Sequence, residues 1–469
     1  MKFREAVKII EGLRFIADEL TLMSALGRAC LMDSDFIEDR ELLKKEYDYL
    51  ASAVKTVTDA EIKNAVSETE RLLMQTRDIR TTVARLEGRK ILDDVEFFEI
   101  KGLALISRQL DRLLGILRLS HIKSFEIPDL AKVIEILDPE KTGNAHFYIY
   151  DAYSVELAQK RQQLKKLQAD ESHNIGETDK IIAECMMIED NVRVDLSERL
   201  HPYSSLLFKV LETAGRLDLL LAKGHFANKY RLSVPTLTET YIHYTALRYL
   251  PIEQRLRDLN KEFQPIDISL NEGVTLITGA NMGGKTITLK SLAMAQAMMQ
   301  FGFGIPARKG GVAPVKKIAL SIGDSQSANE GLSSFGSEIL QIDQILNDAA
   351  SDDIMLILID EPARTTNPEE GKAIVSAIMD ILGKRRSISV LTTHYSNIKS
   401  NCVRLKVRGV KDTLPSDSKK ILPGSLMNFM DYSLVPDDSS DVDREALAIA
   451  RLLGISRNFS ETIENNLKP

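Results

Sequence analysis

The sequence lacks tryptophan and is poor in aromatic residues, which make up 6% of its 469 positions. Its three cysteines, Cys30, Cys185 and Cys402, lie far apart and form no CxxC pair. Zinc knuckles and disulfide frameworks need closely spaced or paired cysteines, so the pattern excludes both. The scarcity of aromatic residues favours a helix-rich protein over a β-sandwich.

Long apolar runs are also missing. The most apolar helical stretch, residues 291–301, is too short for a membrane span and is interrupted by Gln296 and Gln300. The N-terminus carries charges from Lys2 onward, without the apolar core of a signal peptide. We therefore expect a soluble, cytoplasmic protein with no membrane partner.

The sequence has no surplus of positive charge, since its net charge is −7. A protein that holds DNA mainly by neutralising phosphates is usually basic or carries a basic stripe. We interpret the short basic runs at 384–386 and 404–411 as solvated faces. The charge balance argues weakly against nucleic acid as a partner without excluding it.

The chain up to Pro235 has the apolar periodicity of α-helices and few glycines or prolines. We expect a helical core domain at 1–125, then a connector and an antiparallel helical lever at 126–235. A brief strand is expected at 146–150. The polar stretch 168–178 is expected to form the tip that joins two long lever helices.

After Pro235, short apolar runs alternate with helical stretches. The runs at 274–278, 354–359 and 388–392 predict buried parallel strands with crossover helices. We place an α/β domain at 236–408 and a helical C-terminal segment at 409–469. The predicted fold is therefore multidomain, with an all-α core and lever arm followed by an α/β domain.

The strongest motif is Gly279-Ala-Asn-Met-Gly-Gly-Lys-Thr286, which matches GxxxxGK[ST] between an expected strand and an expected helix. Glycines in such a P-loop let backbone N–H groups surround phosphates, and the helix N-terminus adds its dipole. Lys285 would reach the terminal phosphates, and the Thr286 hydroxyl would bind Mg²⁺. The motif predicts a site for a nucleoside triphosphate.

A second motif consists of the apolar run 355–359 followed by Asp360 and Glu361. A buried strand that ends in two acids delivers carboxylates to the edge of a sheet. Downstream of a P-loop, Asp360 would hold Mg²⁺ and Glu361 would orient and deprotonate the attacking water.

Two further features depend on context. His394, at the end of the third apolar run, is either a sensor of the γ-phosphate or a structural histidine. Gln326 and the glycine- and serine-rich stretch 331–338 indicate, by composition alone, only a capped helix.

With these motifs in place, the sequence resembles the MutS family. The features that carry the resemblance occur in the family's order: TGANMGGKT, IPA at 305–307, the Gln326 loop, GLSSFGSE at 331–338, the Asp360-Glu361 pair and THY at 393–395. The resemblance is strong from Phe263 to Asn397 and weaker in the helical arm. It implies an ABC-type ATPase domain that hydrolyses ATP with Mg²⁺.

The resemblance also implies roles for single residues. Glu361 and His394 would be catalytic, and Thr286 and Asp360 would hold the metal. Ser333 or Ser334 would reach the nucleotide of a partner subunit in a homodimer, whose terminal helices would lie in 409–469. The implied nucleotide-binding residues are Gly279, Ala280, Asn281, Met282, Gly283, Gly284, Lys285, Thr286, Gln326 and Phe263. Phe263 is either stacked on adenine or a core phenylalanine.

The sequence departs from the mismatch-repair branch of the family in three respects. Its N-terminal residues resemble the helical arm, so we expect no mismatch-reading domain, and we interpret the F-x-E triplet 97–99 as helix packing. The 168–178 tip is too short for a DNA clamp. DEPARTTNPEEG follows the catalytic strand where that branch has Gly-Arg-Gly-Thr.

These departures leave two hypotheses for the function. The combined pattern looks most like the MutS-related proteins encoded beside adenosylcobalamin-dependent lysine and ornithine aminomutases. That likeness implies an ATP-driven reactivase with a protein client. The alternative is an ATPase of the mismatch-repair or recombination type that acts on mismatched or branched duplex DNA.

Overall fold

The computed structural model describes residues 1–169, 175–279, 283–323, 334–350, 353–395, 398, 400–411, 429–437, 447, 449–450, 453 and 455–466. The chain divides into two compact units. The first unit comprises Met1–Glu19, Asp35–Asp48 and Ala227–Pro469, and the second comprises Leu20–Ser34 and Tyr49–Phe226.

The helices are α1 (Phe3–Ile9), α2 (Glu11–Glu19), α3 (Ala25–Asp33), α4 (Arg40–Thr58), α5 (Lys63–Gln75), α6 (Arg80–Glu87), α7 (Asp94–Ile116), α8 (Ala131–Leu137), α9 (Val155–Gln168), α10 (Ile175–Leu200), α11 (Ser204–Lys229), α12 (Leu250–Asp258), α13 (Lys285–Gln300), α14 (Ser334–Asp348), α15 (Pro368–Leu382) and α16 (Arg457–Asn466). No helix in the part of the chain that the structure describes is long and apolar enough to cross a membrane.

The strands are β1 (Thr236–Leu237), β2 (Ile242–Leu247), β3 (Ile266–Leu270), β4 (Gly273–Thr278), β5 (Lys309–Val312), β6 (Lys317–Ser321), β7 (Met355–Ile359), β8 (Ser387–Thr392), β9 (Val403–Val410) and β10 (Met430–Pro436). They form two mixed sheets in the first unit, with the orders β1-β5-β2-β3 and β10-β9-β4-β8-β7-β6.

The six-stranded sheet is parallel from β9 to β6, and β10 pairs antiparallel at its edge. Every residue of β7 and β8 is buried, because helices cover both faces of a parallel sheet. Strands β4, β7 and β8 confirm the three strands expected from the apolar runs. Their carboxyl ends lie at one edge of the sheet.

Helix α13 packs against this sheet and is buried along nearly its whole length. Its two glutamines are fully buried, and their amide groups donate to the backbone carbonyls of Ala313 and Val315. Helix α2 packs on α13, and Gly12 leaves room for the side chain of Met294, since a Cβ there would approach it to 2.7 Å.

The unit division groups α1 and α2 with the α/β residues, although the sequence places them in a helical core at 1–125. The expected domain boundaries stay a prediction. Within 409–469, which we expected to be helical, residues 430–436 form strand β10 and residues 457–466 form α16.

The second unit is helical. Helices α9 and α10 form the expected antiparallel pair, held by the ion pairs Lys160–Glu184 at 2.6 Å and Arg161–Glu189 at 2.7 Å. Residues 170–174 of the expected tip lie outside the described residues. After the tip, the lever contains two helices rather than one long helix, because a 3₁₀ turn at His201–Tyr203 separates α10 from α11, and Pro202 there lacks the N–H that a helix needs.

The strand expected at 146–150 is wrong, since these residues have no regular secondary structure. They lie against α7 because the Lys101 side chain, which is fully buried, reaches them. Its ammonium pairs with Asp138 at 3.1 Å and donates to the His146 carbonyl at 2.8 Å and the Tyr150 hydroxyl at 3.0 Å. Phe97 is buried in the core of this unit, which confirms packing as the role of the F-x-E triplet.

Candidate nucleotide-binding site

The site is built around the two described ends of the predicted P-loop. Strand β4 ends at Thr278, and Gly279 follows with φ of 129°. Gly284 has φ of 84° and precedes the first residue of α13. These angles favour glycine, because a side chain would strain the backbone there. Residues 280–282 lie outside the described part, so the arrangement of the loop itself stays a prediction.

Lys285, the first residue of α13, is buried with 4% of its side chain exposed. Its ammonium lies 3.1 Å from Glu361 Oε1 and donates to the Gly279 carbonyl at 2.6 Å. A buried ammonium needs such partners because desolvation of an unpaired charge is costly. Phosphate oxygens could replace them, since they accept the same charge-assisted hydrogen bonds.

Asp360 joins α13 to the carboxyl ends of β7 and β8. Its Oδ2 accepts from the Thr286 hydroxyl at 2.7 Å, and its Oδ1 accepts from the Thr392 hydroxyl at 2.5 Å. One hydroxyl and one carboxylate suit Mg²⁺, which takes its other ligands from water and phosphate. Among the described residues, no group of three His, Cys, Asp or Glu side chains converges to hold a metal without such help.

Glu361 lies in a backbone conformation that side chains rarely adopt, with φ of 44°. Its N–H lies 3.2 Å from the Thr392 carbonyl and 3.0 Å from the Thr392 hydroxyl. The turn aims the Glu361 carboxylate at Lys285. The structure therefore brings together four of the residues expected at the site: Lys285, Thr286, Asp360 and Glu361.

His394 is exposed and follows β8, with its ring centroid 4.3 Å from that of Tyr395. The preceding residue, Thr393, donates its N–H to the carbonyl of Ile277 in β4 at 3.1 Å. The histidine thus lies at the same edge of the sheet as the P-loop. Its role as a sensor of the γ-phosphate stays a prediction.

Several expected site residues cannot be placed. Ala280, Asn281, Met282, Gln326 and Ser333 lie outside the described residues. Ser334 is described only as the first residue of α14. Phe263 is half-buried in the segment before β3, and both interpretations of it stay open.

No local sequence pattern predicted strand β10, which borders the P-loop. Its Tyr432 ring lies 3.0 Å from the position that a Cβ on Gly284 would take. Asp437, just after β10, accepts from the Thr278 hydroxyl at 2.7 Å. The Gln264 amide donates to Asp431 at 2.7 Å and accepts from the Tyr432 N–H. The two residues of each of these pairs are more than 140 positions apart in the sequence, so no local sequence pattern could have predicted the contacts.

Asp431 is ionised over nearly the whole pH range. Burial would raise the pKa of its carboxyl, but hydrogen bonds from Ser433 and Gln264 and the nearby charge of Arg408 together lower it to about 2. The hydrogen bond from Gln264 to this carboxylate links β10 to the segment before β3.

The comparison with known families agrees with this geometry, because residues 275–419 match the family model "MutS domain V". The segment is therefore similar to MutS domain V. It contains the strands that end at the site, together with Lys285, Thr286, Asp360, Glu361 and His394.

Curated relatives give the same family. The chain is 36% identical to Endonuclease MutS2 of Streptococcus equi subsp. zooepidemicus over 270 residues, which cover 57% of this chain and 32% of that protein. It is 32% identical to Endonuclease MutS2 of Caldanaerobacter subterraneus subsp. tengcongensis over 284 residues, 59% of this chain and 33% of the relative. The match to Endonuclease MutS2 of a Geobacillus strain, 28% identical, extends over 382 residues, 78% of this chain and 45% of the relative.

The chain spans about a third of the length of the first two of these relatives. Together with the match to MutS domain V, they support a MutS-family ATPase. Their names give no support to the expected link with aminomutase-associated proteins, and they agree better with the DNA-directed alternative.

Proposed function

We propose that this chain is a MutS-type ATPase that acts on duplex DNA. The observation that carries the ATPase part is the pairing of Lys285 with Glu361 and of Thr286 with Asp360 at the end of the P-loop. The DNA part rests on the relatives, whose name, Endonuclease MutS2, denotes enzymes that cut nucleic acid.

In the proposed reaction, Lys285 exchanges its contact with Glu361 for the terminal phosphates of ATP. Glu361 is thereby released to orient a water and accept its proton. The water oxygen forms a bond to the γ-phosphorus, and the bond between that phosphorus and the bridging oxygen breaks, which leaves ADP and phosphate. Thr286 and Asp360 would hold Mg²⁺, which neutralises charge on the phosphates when bound.

The remaining residues complete the proposal. Asn281 would line the phosphate loop, Gln326 would link nucleotide state to motion, and His394 would sense the γ-phosphate. Tyr432, whose ring lies beside Gly284, would be a candidate to stack on the base, as would Phe263 if it is not a core residue. Ser333 or Ser334 would contact the nucleotide of a second copy, so that two nucleotides lie in a homodimer. ATP would close this dimer and hydrolysis would reopen it, and the client would bind one state better than the other.

The first experiment measures steady-state ATP hydrolysis at fixed salt without DNA and with homoduplex, mismatched and branched DNA. Salt is held constant because phosphate contacts weaken steeply with it. We expect basal hydrolysis that at least one DNA form changes. Hydrolysis that no DNA alters would overturn the DNA part, and an adenosylcobalamin-dependent aminomutase would then be the client to add.

The substitution Glu361→Gln tests the ATPase part. Loss of a general base should slow hydrolysis by roughly a hundredfold or more and leave ATP binding intact. The matched control is Glu369→Gln, at an exposed carboxylate in the first turn of α15, which should hydrolyse ATP normally. Normal turnover in the Glu361 variant would remove this residue from the mechanism.

A further inference from the structure

A backbone turn of unusual conformation follows the catalytic carboxylates. Glu361 has φ of 44° and Ala363 has φ of 59°, with Pro362 between them. A non-glycine residue in this region is strained and persists only where the surroundings hold it in place. Because Glu361 belongs to this turn, whatever holds the turn also aims the carboxylate.

The contacts of the turn come mainly from β8 and the residues that follow it. On one side, the Glu361 N–H is held by Thr392. On the other side, the Ala363 carbonyl, in a fully buried residue, accepts from the Tyr395 hydroxyl at 2.9 Å. The N–H of Thr366 reaches the same carbonyl at 3.3 Å.

Tyr395 is itself fixed. It is 7% exposed, and its N–H donates to the Thr393 hydroxyl at 3.1 Å. Its hydroxyl occupies the space beside Gly371 in α15, where a Cβ would approach the phenolic oxygen to 2.3 Å. Burial, followed by the charges of Glu338 and Glu361, raises the pKa of this hydroxyl, so it stays a donor.

We propose that Tyr395 is a positioning residue for hydrolysis, which holds the Glu361–Ala363 turn through its hydroxyl. Gly371 belongs to the same arrangement, because a side chain at this position would occupy the space of the Tyr395 ring. His394 directly precedes Tyr395. The hydrogen bond from Tyr395 to Ala363 therefore connects the segment that carries His394 to the turn that carries the Glu361 carboxylate. This inference rests on the proposed ATPase function.

The test is Tyr395→Phe in the full chain, with Tyr47→Phe as the matched control. Tyr47 is a buried tyrosine of the same unit, and its hydroxyl donates to the Met299 carbonyl at 3.0 Å, away from the site. Each variant loses one buried hydrogen bond to a backbone carbonyl. For Tyr395→Phe we expect kcat to fall roughly three- to tenfold with KM for ATP unchanged. The control should keep both parameters.

A second measurement separates positioning from a general loss of stability. Single-turnover hydrolysis is compared in Glu361→Gln and in the double variant Glu361→Gln, Tyr395→Phe. If Tyr395 acts through Glu361, the second substitution adds no further loss. An additive loss, an equal loss in the Tyr47 control, or an unchanged kcat in Tyr395→Phe would each overturn the proposal. Absence of hydrolysis in the unaltered protein would instead overturn the ATPase function itself.

Discussion

Lys285 illustrates how a single residue at this site is both buried and ready to change partners. Its ammonium lies between the Gly279 carbonyl and the Glu361 carboxylate, and only 4% of the side chain is exposed. Burial makes each contact stronger than it would be in water, and it also makes loss of a partner costly. A phosphate that replaces Glu361 keeps the ammonium paired throughout.

At this scale we predict that Lys285→Ala weakens nucleotide binding. Loss of charge-assisted hydrogen bonds to phosphate should lower the affinity roughly ten- to hundredfold, measured with a fluorescent ADP analogue. Lys290→Ala is the control, because Lys290 lies in the same helix but pairs with Glu11. Equal affinity of the Lys285 variant and the unaltered protein would contradict the P-loop assignment.

At the scale of elements, the site exists because parallel strands end together. Strands β4, β8 and β7 are neighbours, so Gly279, Thr392 and Asp360 meet at the carboxyl edge of one sheet. Ligands of open α/β sheets bind at this edge. Helix α13 begins there and contributes Lys285 and Thr286 in its first turn.

A second contact between elements depends on one buried ion pair. In the helical unit, Lys101 of α7 pairs with Asp138 and also contacts the stretch 146–150. Asp138 is 4% exposed and accepts from Lys101, Thr142 and Gly143. Burial alone would raise the pKa of its carboxyl, but these hydrogen bonds outweigh burial and lower the pKa to about 2. Because the folded pKa lies below the unfolded value, Asp138 stabilises the fold above about pH 4. This contribution is lost as the pH falls towards 2.

We predict that Asp138→Asn lowers the free energy of unfolding at pH 7 by roughly 2 kcal/mol or more, because Lys101 loses its charged partner. The variant should also lose part of the acid sensitivity of the unaltered protein between about pH 4 and 2. Urea unfolding followed by circular dichroism at several pH values measures both effects. Asp190→Asn, at a 75% exposed carboxylate in α10, is the control. If the Asp138 variant were as stable as this control, the Lys101–Asp138 pair would not stabilise the fold.

At the scale of the whole molecule, the chain consists of a helical unit and a unit that contains the segment similar to MutS domain V. The proposed use of ATP needs a second copy, because Ser333 or Ser334 would serve the partner's nucleotide. A variant that binds ATP without hydrolysing it should therefore accumulate as a dimer.

We predict that the Glu361→Gln variant dimerises when ATP and Mg²⁺ are added, so that the mass measured by sedimentation velocity doubles. Lys285→Ala should stay at its nucleotide-free mass when the ATP concentration is kept below the weakened Kd of this variant, because its site then stays largely empty. A Glu361 variant whose mass is unchanged by ATP would argue against a composite site between two copies. A mass already doubled without nucleotide would show that ATP does not drive assembly.

The sequence by itself determined the features that depend on local pattern. Continuous apolar runs predict buried parallel strands, and three such runs became β4, β7 and β8. The P-loop motif and the Asp360-Glu361 pair are short segments, so their residues could be named without the fold. The irregular stretch 146–150 was mistaken for a strand, because the sequence pattern cannot reveal the contacts that Lys101 makes with it.

Only the tertiary structure decided which distant residues share the site. Thr392 meets Asp360 across 32 positions, Tyr395 meets Ala363 across 32, and Tyr432 lies beside Gly284 from a strand with no clear sequence signal. Such contacts depend on strand order and on the space left by Gly371. Local sequence specifies which residues can do chemistry, whereas packing of the sheet and its helices decides which of them meet.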